Sequence, residues 1–164
     1  MKLTKKWLNE KNACSYGMEW FLNQNETDST NVIKNLLSDE VAQKQTQSID
    51  WANWLIVRVM THTQYIAYAI FAAEQVIDIF EKKYPDNRRP REAINAAKKV
   101  LKNNNIKTRA AAASAAAYAY AAYASAAYAA SADAASAAAA YYDYTKKEML
   151  IKIINYGLKL LEGK

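Results

Sequence analysis

The chain has 164 residues, a formal net charge of +6 and 52% hydrophobic residues, with three Gly, two Pro, one Cys and one His. One Cys and one His exclude a disulfide framework and any multi-cysteine or multi-histidine metal site. Gly at positions 17, 157 and 163 leaves no phosphate-cradling loop, and so few Gly and Pro give little punctuation for a many-stranded β fold.

Residues 1 to 44 read as short helices and connections. Leu3, Trp7 and Leu8 share one face and Tyr16, Trp20 and Phe21 another, at helical spacing. The basic start MKLTKKWLNEKN is not followed by an apolar run, so no secretory signal is expected; with a lone Cys the expected compartment is the reducing cytoplasm. Cys14 is expected to be a small buried hydrophobe, because a nucleophile needs a base beside it and the single His is His62. Asp28, Ser29 and Thr30 are candidate N-caps ahead of Val32, Ile33, Leu36 and Leu37, and Ser38 can cap a further turn.

Asp50 precedes Trp51, Trp54, Leu55 and Val59, and as an N-cap it would accept from the free N–H groups of the first turn. Trp51 and Trp54 read as core anchors rather than a ligand cage. One helix over 50–83 would be about 50 Å long, too long for a domain of this size, so a break is expected at Thr61-His62-Thr63-Gln64. The next helix carries Ile66, Ala69, Ile70, Ala73, Ile77 and Phe80 and stops before Pro85. After the turn Tyr84–Pro90, Pro90 suits the first turn of a helix over about 90–103. That helix would turn Ala93, Ile94, Ala97, Val100 and Leu101 inward.

From Ala110 to Ala140, 22 of 31 residues are Ala, the best helix former, so helix is expected throughout. The stretch 110–132 has no charge, but Ala gains little from lipid and no membrane span is expected. The expected arrangement is a central Ala-rich helical hairpin over about 109–142, whose small side chains let neighbouring helices approach closely. Breaks are expected near Ser131–Asp133 and near Asp143–Thr145, where Thr145-Lys146-Lys147-Glu148 is a capping box. A last helix, 146–162, would bury Met149, Leu150, Ile153, Ile154, Leu158 and Leu161, with Gly163 as its C-terminal cap.

The charge is concentrated. Residues 82–109 hold Lys82, Lys83, Arg88, Arg89, Arg91, Lys98, Lys99, Lys102, Lys107 and Arg109 against Asp86 and Glu92. Such a patch suits an acidic protein or nucleic acid. Between 85 and 109 there is no aromatic residue for base stacking, which favours the protein. Arg88, Lys98, Lys99, Lys102 and Lys107 are the candidate partner contacts. Arg88, Arg89 and Arg91 sit in a Pro-flanked turn, and at least one is expected to be partly buried against a carboxylate such as Asp50 or Asp86.

Three groups of residues then line up. They are Ala13-Cys14 with Gly17 and Trp20, Asp50-Trp51-x-x-Trp54-Leu55, and Pro85-Asp86-x-x-Arg89-Pro90-Arg91-x-Ala93-Ile94 ahead of the Ala-rich tract with interspersed Tyr. This order resembles a family of immunity proteins from bacterial polymorphic-toxin systems. The resemblance covers roughly residues 13–140, and its most specific part is the block from Asp86 to Ile94. It implies an all-helical cytoplasmic protein that binds and neutralises a toxin or another effector, such as a defence nuclease met by a mobile element. It also implies structural roles for Cys14, Trp20, Asp50, Trp51, Trp54, Asp86, Arg89, Pro90 and Arg91.

The expectation is therefore a single all-α domain over 1–164 with about seven to nine helices, no catalytic residues, no metal and no cofactor. It would be a binding protein that occludes a protein effector. A nucleic-acid-binding accessory protein using residues 82–109 is the alternative, and an oligomer packed through its Ala/Tyr surface is a third reading.

Overall fold

A computed structural model describes residues 1–38, 40, 41, 47–103 and 139–163. Eight α-helices are described: α1 (Lys5–Glu10), α2 (Ser15–Asn23), α3 (Ser29–Leu36), α4 (Ser48–Val59), α5 (His62–Glu74), α6 (Ile77–Lys83), α7 (Arg89–Lys102) and α8 (Ala139–Leu161). Among the described residues there is no strand, and the one isolated β-bridge joins Lys2 and Asp28. The class is all-α. The expected Ala-rich hairpin, the Ser131–Asp133 break, Lys107 and Arg109 lie outside the described residues, apart from the helical backbone after 138.

The chain forms two compact units, 1–61 with 150–164 and 62–149. In the first unit, side-chain caps start three short helices. Thr4 accepts from Trp7 N at 3.1 Å, Cys14 Sγ from Gly17 N at 3.4 Å, and Asp28 from Thr30 N and Asn31 N at 2.9 and 3.3 Å. Helix α1 ends in a Schellman turn. Asn12 takes φ 58°, its N–H donates to Asn9 O, and Ala13 N donates to Leu8 O. Asn tolerates this left-handed conformation better than most residues, which is why a non-glycine can stand there.

Helix α3 packs on α4. Val32, Ile33 and Leu36 of the one and Ile49, Ala52, Leu55 and Ile56 of the other are buried. Ile153, Ile154 and Leu158 of α8 are buried too, as their spacing predicts. Lys34 reaches Glu162 at 2.7 Å, tying α3 to the end of α8. There Gly163, at φ +73°, donates to Leu160 O and closes the helix as expected.

In the second unit α5 packs on α7. Ile70, Ile77 and Ile94 form the buried cluster, with Ile66, Ala73 and Ala97 against it. Helix α5 stops at Glu74, and Gln75 turns its side-chain amide back onto Phe71 O at 3.2 Å. The short α6 follows and ends before Pro85, as expected, with Phe80 and Tyr84 rings 5.0 Å apart. Pro90 sits buried in the first turn of α7, where its missing N–H costs nothing.

Several expectations are corrected. Asp50 is not the N-cap of α4; the helix begins at Ser48, because Ser48 and Ile49 already enter the buried face. Asp50 instead lies exposed in the first turn, where a carboxylate favours the helix dipole. The break after α4 falls at Met60–Thr61, with Met60 extended and His62 opening α5. A further break at Gln75–Val76 divides what reads as one helix before Pro85. Helix α8 runs unbroken through Asp143–Thr145: no Pro or Gly precedes the capping box there, so the backbone keeps its own i−4 carbonyls and the box has no free end to satisfy. Cys14 is exposed rather than buried: α2 turns Met18 and Phe21 inward, and the sulfur left outside accepts from Gly17 N as a cap. Tyr16 and Ala69 point outward, and Leu101 is at the margin of exposure.

Candidate functional site

The described part of the basic segment runs from Lys82 and Lys83 at the end of α6 through the turn and along α7. The buried side of α7 is Pro90, Ala93, Ile94 and Val100. Opposite it, Arg88, Glu92, Asn95, Lys99 and Lys102 follow at spacings of four, three, four and three residues, and all five are exposed. That spacing keeps them on one narrow stripe of about 21 Å at 1.5 Å per residue.

The cations of residues 88–102 fall into two groups. Arg91 Nε donates to Glu81 Oε1 at 2.8 Å, and its Nη2 donates to Glu81 Oε2 at 2.5 Å and Asp78 Oδ1 at 3.1 Å. This planar fork fastens α7 to α6. The hydrogen bonds from Arg91 hold the Glu81 carboxyl below its ordinary range, and the same contacts raise the guanidinium above its own. Lys98 meets Glu74 of α5 at 2.6 Å. Arg88, Arg89, Lys99 and Lys102, by contrast, are exposed and have no carboxylate partner among the described residues. The expected Arg–carboxylate pair thus exists, but on Arg91 with Glu81 and Asp78, not with Asp50 or Asp86. The missed signal was the i, i+3 placement of Asp78 and Glu81 on one helical face.

Beside the stripe an open cleft of about 610 Å³ is lined by Tyr84, Pro85, Asp86, Asn87, Arg88, Arg89 and Glu92. Two hydrogen bonds hold the turn that lines it: Asn87 N donates to Tyr84 O, and Asn87 Oδ1 accepts from Arg89 N.

The remaining candidates lie in the first unit. Trp20 and Trp51 are half-buried with ring centroids 6.5 Å apart, and Gly17 lies against the Trp51 ring. Arg58 lies over Trp54 at 4.1 Å and donates to Trp54 O at 2.9 Å, so one face of that ring is covered from within the chain. Cys14 belongs to the first unit and His62 to the second. Among the described residues no three His, Cys, Asp or Glu cluster as metal ligands, and no helix is long and apolar enough to cross a membrane.

A family model described as "Imm-5 like putative immunity protein" matches residues 55–163. The chain belongs to the Imm-5 like immunity protein family. The match takes in the turn Pro85–Pro90, all of α7 and the Ala-rich tract. Cys14, Gly17, Trp20, Asp50, Trp51 and Trp54, on which the resemblance also rested, lie outside it. No curated protein and no solved structure matches the chain.

Proposed function

We propose that this immunity-family chain is a non-enzymatic binding protein that neutralises a protein effector, a toxin or a defence nuclease, by occluding it in the cytoplasm. The observation that carries the reading is the family match, which spans the whole basic segment. The exposed cations of that segment support it, since Arg88, Arg89, Lys99 and Lys102 are not used by neighbouring helices. Catalytic metal-binding sites of nucleases are acidic, and a basic surface steers and docks against such a site.

The test is a pull-down with the tagged chain from nuclease-treated lysate of its own source, read by mass spectrometry. One stoichiometric protein whose activity falls when the chain is added is the expected result. Absence of any protein partner sinks the reading. A nucleic-acid accessory role is the second reading, favoured by the exposed Tyr84 beside Arg88 and Arg89 in the cleft. It requires recovered nucleic acid and an affinity that falls steeply with salt.

A further inference from the structure

The partition of charge on α7 identifies which cations are available to a partner. Arg91 and Lys98 are held by carboxylates of α6 and α5, from residues 10 to 24 positions earlier in the chain. Those two residues brace the helix. Their carboxylate partners, solvent-accessible like the cations themselves, already offset the positive charge that Arg91 and Lys98 would offer a partner. Arg88, Lys99 and Lys102 stand on the outer stripe with Asn95 between them and Glu92 the single acid. A stripe about 21 Å long presents these charges in a line on a rigid helix, so its geometry is set before any partner arrives.

Resting on the inhibitor reading, we infer that Arg88, Asn95, Lys99 and Lys102 form the docking strip for the effector. The effector is a protein that presents a linear run of carboxylates, and Lys98 and Arg91 are not part of the contact. Charge complementarity selects this occupant: three unpaired cations sit against one carboxylate over the whole strip. The polar ends of Asn95 suit hydrogen bonding to a protein surface between the charges. The strip holds no aromatic residue, which a single-strand nucleic-acid groove would use. Lys98, which composition alone groups with its neighbours, is thereby separated from them.

The test measures binding of the full chain to a labelled poly-L-glutamate of about 20 residues by fluorescence anisotropy, at about 0.15 M salt. The variants are Arg88→Glu/Lys99→Glu/Lys102→Glu, the neutral Lys99→Gln/Lys102→Gln, and Lys98→Gln. The triple reversal is expected to weaken binding by about tenfold or more, each exposed charge contributing roughly a factor of two to three. The neutral pair, which removes two charges where the triple reversal changes six, should lose about a third of that effect on a logarithmic scale and guards against misfolding of the triple variant, which far-UV circular dichroism monitors. Lys98→Gln is expected to stay within about twofold of the unaltered chain. A Lys98→Gln loss that reaches half of the Lys99→Gln/Lys102→Gln loss on a logarithmic scale, the same effect per charge, overturns the strip, as does triple-variant affinity equal to that of the unaltered chain. A duplex of about 20 base pairs bound a hundredfold or more tighter than polyglutamate through the same residues overturns it in favour of nucleic acid. Because the probe is defined, these outcomes are independent of the pull-down: the strip can fail while the inhibitor reading stands on a captured effector.

Discussion

Truncating Ile94 to Ala tests whether the α5–α7 cluster holds the second unit together. Ile94 is 4% exposed and packs with Ile70 and Ile77. The substitution removes three carbons, worth about 2.4 kcal/mol at about 0.8 kcal/mol per buried group. The other neighbours include Ala73 and Ala97, which have no rotatable side chain to move into the gap. About half of the vacated volume, roughly 40 Å³, therefore persists and adds about 1 kcal/mol. The expected loss is about 3 to 3.5 kcal/mol, read by urea denaturation with far-UV circular dichroism. With a slope of about 2 kcal/mol per molar urea, the midpoint falls by about 1.5 M. Ile79→Ala is the control, since the same side chain there is 66% exposed. It should change stability by no more than about 0.5 kcal/mol. A loss below about 1 kcal/mol at Ile94, or equal losses at the two positions, refutes the packing argument.

Three further outcomes follow from individual contacts. Glu81 has its carboxyl lowered by the Arg91 fork, so its stabilising contribution is complete above the ordinary glutamate value and disappears as pH falls through the lower folded value. Glu81→Gln should therefore lower the melting temperature near neutral pH, and the difference should shrink as pH falls below the ordinary glutamate range through the lower folded value, where the unaltered chain loses the same contribution; a constant difference across the range contradicts the assignment. Asp28→Ala removes the cap accepted by Thr30 N and Asn31 N and should cost about 1 kcal/mol in chemical denaturation, with Asp28→Ser recovering most of it. Gly17→Ala should stabilise by about 0.5 kcal/mol, because alanine is the better helix former and the nearest atom to the new Cβ is the exposed Cys14 thiol at 3.3 Å, which can rotate away. A lowered melting temperature there would show that the thiol cap outweighs the gain in propensity.

The same two residues show where reading the sequence works and where it stops. Gly17 and Cys14 stand together in the chain, yet nothing local distinguishes a buried thiol from one that caps a helix. The burial of Phe21 and Met18 sets which way α2 faces, and that leaves Cys14 outside. The capping box at Thr145 is a local signal too, and it yields to a helix already continuous from Ala139. Caps report a chain's readiness to start a helix; whether a helix starts there depends on what precedes it.

Spacing, capping residues and proline determined that the class is all-α, most of the residues of α3, α7 and α8 that face inward, though not Leu101, that a helix begins within Asp28–Thr30, and that Pro85 and Pro90 bracket a turn. These follow from spacing and backbone chemistry within a few residues, so they need no knowledge of distant contacts. The concentration of cations in 82–109 was equally plain from counting. The tertiary structure decided which of those cations are already engaged. Arg91 finds Asp78 and Glu81, and Lys98 finds Glu74, only because α5, α6 and α7 are folded against one another. A charge count sums over residues regardless of position, whereas an ion pair depends on a separation of a few ångströms, and packing alone sets that distance.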